Sequence, residues 1–187
     1  MKQRKRILKT VSSIALITSA ATLNLRAATT FYVDSAWKGT PSGTPSQPWR
    51  YLSSSAWLAI NRALESDDVT VYFPARQATS DSEAVYDSTG DGVQDGIDLT
   101  RRTDTSKSAL RLDANSLYNR SETAPDWAVY SGNARCKVRY LKGQNSAHVK
   151  HSNITIHGFH VVTTDGNKEI TICGDNWVVE DCECEYA

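Results

Sequence analysis

The chain of 187 residues has no C-x-x-C pair, no uninterrupted apolar run long enough to span a membrane, and no excess of positive charge. The first absence removes the common cysteine spacing of a metal site. The second argues against a permanent transmembrane helix, which needs about 20 apolar residues. The stretch from Val11 to Leu25 is shorter and is broken by Ser, Thr and Asn. The third argues against nucleic acid as a partner. Lys plus Arg and Asp plus Glu both number 21. Several of the bases crowd at the front, where Lys2, Arg4, Lys5, Arg6 and Lys9 precede the apolar stretch. With Leu25-Arg26-Ala27 as a small-residue cleavage site, residues 1–27 read as an export signal, and the mature chain is expected to start near Ala28. Removing them takes away six bases and no acid, leaving 15 basic (21 − 6) against 21 acidic residues and a net charge of −6. The mature protein is therefore acidic, and its expected location is secreted, periplasmic or on the cell surface.

A repeat stands out near the end. Asn153-Ile-Thr-Ile-His-Gly-Phe-His-Val161 and Asn176-Trp-Val-Val-Glu-Asp-Cys-Glu-Cys184 align at an offset of 23 residues (176 − 153). Ile156 falls on Val179, Phe159 on Cys182 and Val161 on Cys184. Apolar and polar residues alternate within each copy, as strand side chains do. The alternation slips by one residue at His157-Gly158 and again at Glu180-Asp181, as a corner between two short strands would produce. Val178 is the misfit, an apolar residue that the register turns outward. A period of this length in β-rich sequence implies stacked repeats, and hence a parallel β-helix. Stacking is expected to bury Phe159 over Cys182 and Val161 over Cys184, with Glu183 and Glu185 outward. Cys182 and Cys184 then act as buried thiols, and Cys136–Cys173 is the candidate disulfide.

Upstream, Phe31-Tyr-Val-Asp34 reads as a strand and Gly39 to Pro48 as a Pro/Gly/Ser loop. A helix capped by Ser53, Ser54 or Ser55 runs to about Glu65, with Trp57, Ile60 and Leu64 on one face. Val69 to Phe73 alternates as a strand that Pro74 is expected to end. This order of strand, Pro-rich loop, amphipathic helix, acidic turn and strand resembles the start of right-handed parallel β-helix proteins of the pectin-lyase-like superfamily. The matching residues are Tyr32-Val33, Gly43 to Pro48, Leu52 to Ala63, Asp68 to Val71, Ser152 to Phe159 and Asn176 to Cys182. The resemblance implies an all-β fold, a right-handed parallel β-helix with an N-terminal capping α-helix. It divides the mature chain into a cap over 28–74, irregular coils with a long loop insertion over 75–135, and regular coils over 136–187. Leu110-Arg-Leu112 reads as one further strand inside the irregular part, and Leu117 to Asn133 as a long excursion. The chain ends just after a solenoid strand with no cap, so it is expected to be the first part of a longer protein; closure by dimerisation is the alternative. The superfamily includes polysaccharide lyases, glycoside hydrolases, epimerases and phage tailspikes. The implied activity is lyase or hydrolase chemistry on an acidic, pectate-like polysaccharide, and the alternative is a non-catalytic carbohydrate-binding or adhesive surface solenoid.

Three groups of residues carry chemistry on this reading. Counted from Asp87 as position 1, Thr89, Asp91, Asp95 and Asp98 place oxygens at positions 3, 5, 9 and 12, the carbonyl of Val93 at 7 adds another, and Gly92 stands at the sharp turn. Calcium takes six to eight such oxygens, so this loop is a candidate calcium site; the alternative is an acidic, Gly-rich surface turn. Glu180, Asp181, Glu183 and Glu185 form a second acidic cluster. In pectate lyases a calcium held by carboxylates on an outward strand face bridges to the acidic sugar, so the cluster resembles such a site; a solvated polar face is the alternative. Trp37, Trp49 and Trp127 lie in expected loops and are candidates for stacking on sugar rings, against a plain packing role. Trp57 and Trp177 read as core. His148, His151, His157 and His160 read as surface polar residues, and no catalytic base is recognisable from sequence.

Overall fold

The computed structural model describes residues 28–77, 82–103, 107–119, 126–129, 132–144, 150–163 and 170–187. The expected export signal, His148 and parts of the long excursion lie outside them. The described chain is mostly strand, with one α-helix and three parallel sheets. Its strands are β1 (Ala28–Tyr32), β2 (Asp68–Gln77), β3 (Ile97–Asp98), β4 (Leu110–Asn119), β5 (Asp126–Val129), β6 (Cys136–Val138), β7 (Leu141–Lys142), β8 (Ile154–His157), β9 (Phe159–Thr163), β10 (Ile170–Thr171), β11 (Trp177–Glu180) and β12 (Glu183–Tyr186). The main sheet runs β1-β2-β4-β8-β11, the second sheet β12-β9-β6 and the third β10-β7-β3. From β4 onward the chain visits main, second and third sheets in that order: β4, β6, β7, then β8, β9, β10, then β11 and β12. All of these pairings are parallel; only β5 is antiparallel, folding back on the end of β4.

The register reproduces the sequence repeat. Ile154 pairs with Trp177, Ile156 with Val179 and Val161 with Cys184. The corner has a backbone cause. Asn153 (φ 59°) and Asn176 (φ 58°) open the two copies in the left-handed region, and Gly158 (φ 76°) and Asp181 (φ 50°) occupy it at the strand-to-strand bend. Asn, Asp and Gly are the residues that enter this region at least cost. The amide of Asn176 donates to the side-chain oxygen of Asn153 at 2.9 Å, and the amide of Asn153 donates to the carbonyl of Lys107 at 3.1 Å. Two asparagine side chains thus tie one passage of the chain to the next.

Inward columns form the core. Val69, Leu110 and Ile154 stack in one, and Val71, Leu112 and Ile156 in another; all six are buried. In the second sheet Cys136 lies against Phe159, and Phe159 meets Phe73 edge-on at 5.2 Å. Helix α1 (Ser54–Leu64) closes one side of this core with Ala56, Trp57, Ile60 and Leu64. Ser53 caps it, accepting from the N–H of Ala56 at 3.2 Å. The column ends differ. Val179, partner of buried Ile156, is 41% exposed because among the described residues no strand lies beyond β11. Cys184 is exposed for the same reason, so its expected burial is corrected, while Cys182 packs against the core. Val178 is exposed, as the register requires.

Two boundaries depart from expectation. β2 continues through Pro74 to Gln77. Its neighbour β1 stops at Tyr32, paired with Tyr72, so Pro74 needs no N–H on that side, and the pairing to β4 shifts register around it. The weak repeat over 75–135 has its origin in spacing: partners in β4 and β8 are 44 residues apart, against 23 between the next pair. None of the four cysteines is joined in a disulfide, so the expected Cys136–Cys173 bridge is not formed in this structure.

Phe159 is fully buried at the centre of these columns. Phe159→Ala is expected to lower the unfolding free energy by about 3–5 kcal/mol, read by urea denaturation. A loss below about 1 kcal/mol would be inconsistent with the packing described.

Candidate active site

The outward face of the main sheet carries a continuous row. Tyr32, Tyr72, Asp113, His157 and Glu180 are successive register partners on β1, β2, β4, β8 and β11. At one end the row is aromatic. Tyr32 and Tyr72 stack at 5.3 Å, and Trp127 leans on Tyr32 at 4.9 Å. Trp127 arrives there because β5 pairs antiparallel with β4, and its indole N–H donates to the carbonyl of Pro45 at 3.1 Å. At the other end the row is charged. Arg111, one row along on β4, donates to Asp113 at 2.8 Å and to Glu180 at 2.7 Å.

Asp113 is the hub. Burial would push its carboxyl up, but the Arg111 hydrogen bond, the Asn115 N–H and the charges of Arg111 and His157 outweigh that and hold it below its ordinary value. The phenol of Tyr72 is pushed up, first by burial and then by the Asp113 charge. His157 Nδ1 lies 3.2 Å from Asp113 Oδ1. In the neutral ring, the tautomer that donates from Nδ1 to Asp113 leaves the Nε2 lone pair able to take a proton. An imidazole oriented by a carboxylate, beside a guanidinium and an aromatic floor, has the parts of a proton-abstracting site. Sequence reasoning missed this pair because its members stand 44 residues apart.

The second acidic cluster is distributed over bases of the chain itself. Glu180 pairs with Arg111, Asp181 with Arg135 at 2.7 Å, and Glu183 with Arg135 at 3.4 Å. Glu185 lies 3.1 Å from His160 Nε2, while His160 Nδ1 lies 2.8 Å from Glu83. The repulsion expected among these acids is relieved by Arg111, Arg135 and His160. His160 is buried, as is His151, which corrects the surface reading for both.

The Asp87–Asp98 loop is built on its own N–H groups. Asp87 accepts from the N–H groups of Thr89, Gly90 and Gly92, and these outweigh the upward push of burial and lower its carboxyl. Asp95 accepts from Ser88 and Thr89, and Asp91 from the N–H of Val93. Asp98 caps the short 3-10 turn Leu99–Arg101 by accepting from Thr100. Among the described residues no group of three or more His, Cys, Asp or Glu side chains is placed to hold a metal ion.

The tryptophans separate. Trp127 lies in the outward row, Trp37 lines a cleft beyond β1, and Trp49 is buried against Phe31 at 4.7 Å. Trp177 packs on the core and donates to the carbonyl of His151. No helix among the described residues is long and apolar enough to cross a membrane. In comparisons with known proteins, the chain matches no family model, no curated protein and no solved structure.

Because Asp113 is held below its ordinary value of 3.8, its contribution to stability is present above that pH and is lost as pH falls through the folded value. Asp113→Asn is expected to lower Tm at pH 6, and the gap to wild type is expected to shrink below pH 3.8. A gap that widens on acidification would reverse the sign of the argument.

Proposed function

We propose that this chain forms a right-handed parallel β-helix of the pectin-lyase-like kind, is exported, and acts as a lyase on an acidic polysaccharide laid across the outward face of the main sheet. The observation that carries this reading is the row Tyr32–Tyr72–Asp113–His157–Glu180, in which an aromatic floor runs into a carboxylate-oriented imidazole. Support for the β-helix comes from the fixed order in which the strands join three parallel sheets, from the 23-residue register and from the Asn153–Asn176 side-chain bond.

Beside the mutually stacked Tyr72 and Tyr32, the tilted Trp127 ring is the aromatic surface for the C–H face of a sugar, whose hydroxyls reach the charged end of the row. For a uronate unit, β-elimination begins with removal of the proton α to the carboxylate. His157 Nε2 takes that proton, Asp113 stabilises the imidazolium that results, and Arg111 offsets the charge that develops on the carboxylate. The C–O bond at the β position then breaks, its electron pair leaves with the departing sugar oxygen, and an unsaturated uronate remains.

The second reading, a non-catalytic carbohydrate-binding or adhesive solenoid, draws on the acidic cluster, whose four carboxylates already pair with Arg111, Arg135 and His160. Calcium at Asp87, Thr89, Asp91, Val93, Asp95 and Asp98 belongs to the proposal on spacing alone, and no chemical step runs through it. On this proposal a chelator lowers Tm of the purified chain; an unchanged Tm with no heat of calcium binding removes the ion.

Incubated with polygalacturonate, the protein is expected to generate unsaturated product absorbing in the ultraviolet. His157→Ala is expected to cut the rate by at least about 100-fold with Tm nearly unchanged. Silence of the wild type across a panel of uronate polymers, with binding retained, would select the non-catalytic reading.

A further inference from the structure

A cleft of about 490 Å³ opens beyond the end of β1, within the size range of small-ligand sites. Its walls include Asp34, Glu83 and Asp87 together with Trp37, Lys38 and Arg50. The six divide by hydrogen-bonding state. Each carboxylate is already held by the protein. Glu83 accepts from the N–H of Arg135 at 3.0 Å and lies 2.8 Å from His160 Nδ1 and 3.6 Å from Lys137 Nζ. These contacts outweigh the upward push of burial and lower its carboxyl. Asp87 is tied to Thr89, Gly90 and Gly92, and Asp34, only 2% exposed, accepts from the N–H of Ala36 at 3.3 Å.

The donors stand in the opposite state. Lys38 and Arg50 are exposed, and among the described residues no hydrogen bond or ion pair engages the Lys38 ammonium or the Arg50 guanidinium; the indole N–H of Trp37, which also has no partner, is buried and not open to the cleft. Trp37 is fixed from one side by Gly39, where an added Cβ would come within 2.6 Å of the indole ring. The Arg50 backbone is tied in as well: its carbonyl accepts from Ser35 Oγ at 3.0 Å, and the same Oγ accepts from the N–H of Asp87 at 2.9 Å. With the three carboxylates held by the protein's own donors, the exposed cations Lys38 and Arg50 are the groups of the cleft open to an acceptor-rich, anionic ligand. Guanidinium is the side chain best matched to a planar carboxylate.

We propose that this cleft is a carbohydrate-binding subsite, separate from the His157 row, in which Arg50 and Lys38 read the oxyanion of an acidic sugar against the Trp37 wall. The inference rests on the acidic-polysaccharide reading above and names where the charge of that ligand is recognised. A sulfated sugar presents the same kind of oxyanion; the planar fork of Arg50 favours the carboxylate.

The test is calorimetric titration of the whole purified chain with three trisaccharides: galacturonate, neutral galactose and a sulfated galactose. Wild type is expected to bind the galacturonate trimer best. The double variant Lys38→Gln/Arg50→Gln is expected to lose about tenfold or more of that affinity, with binding of the neutral trimer and Tm unchanged. His157→Ala is expected to keep galacturonate binding while losing turnover. Wild-type affinity for galacturonate retained in the double variant overturns this subsite and leaves the main-sheet reading standing. Preference for the sulfated trimer overturns the carboxylate assignment. Absence of any galacturonate binding or turnover in the wild type overturns both the subsite and the reading beneath it.

Discussion

Parallel backbone pairing at a fixed register is the constraint on which the rest depends. Once Ile154 lies beside Trp177, every later partner on the strand is set, because side chains alternate strictly between faces. A slip by one residue would turn Ile154 and Ile156 to solvent and drive Thr155 and His157 into the core. The left-handed residues Asn153 and Asn176 pin that register at the start of the strand, and Gly158 and Asp181 pin it at the corner. Apolar columns follow on the inside and rows of like position on the outside.

The outward rows explain how so many charges share one surface. On the second sheet Lys137, His160 and Glu183 are register partners, so base and acid succeed one another along the stack. On the main sheet Arg111 stands in the neighbouring row, with Thr155 and Val178, and reaches across to Glu180. Exposed pairs of this kind contribute about 0–1 kcal/mol each. Their value lies in arrangement: they hold the acids of β11 and β12 in place and leave His157 with an oriented ring. The free donors in the cleft, Lys38 and Arg50, follow no such row, because they stand on a loop whose position is set by the Ser35 and Gly43 contacts to its neighbours.

Local pattern carried much of the architecture. The 23-residue repeat, the corner at Gly158 and Asp181, the apolar face of α1 and the all-β character were legible in the order of residues, since each depends on near neighbours or on an uninterrupted spacing. Where insertions lengthen the passage, as between Asp113 and His157, the partnership leaves no local trace. Two residues show why burial was harder to read. His160 is polar in sequence yet lies between Glu83 and Glu185, which allow it to be buried. Trp49 sits in a Pro-rich loop that folds back across β1 and packs it on Phe31.

The register itself admits a direct measurement. With Cys136 and Cys182 replaced by Ala and Cys173 and Cys184 by Ser, cysteines introduced at Thr155 and Val178, adjacent outward partners on β8 and β11, are expected to form a disulfide in high yield under mild oxidation. Cysteines at Thr155 and Val179, which point to opposite faces, are expected to remain reduced. Efficient cross-linking of the second pair, or failure of the first in a folded protein, would contradict the stacked register and every row built on it.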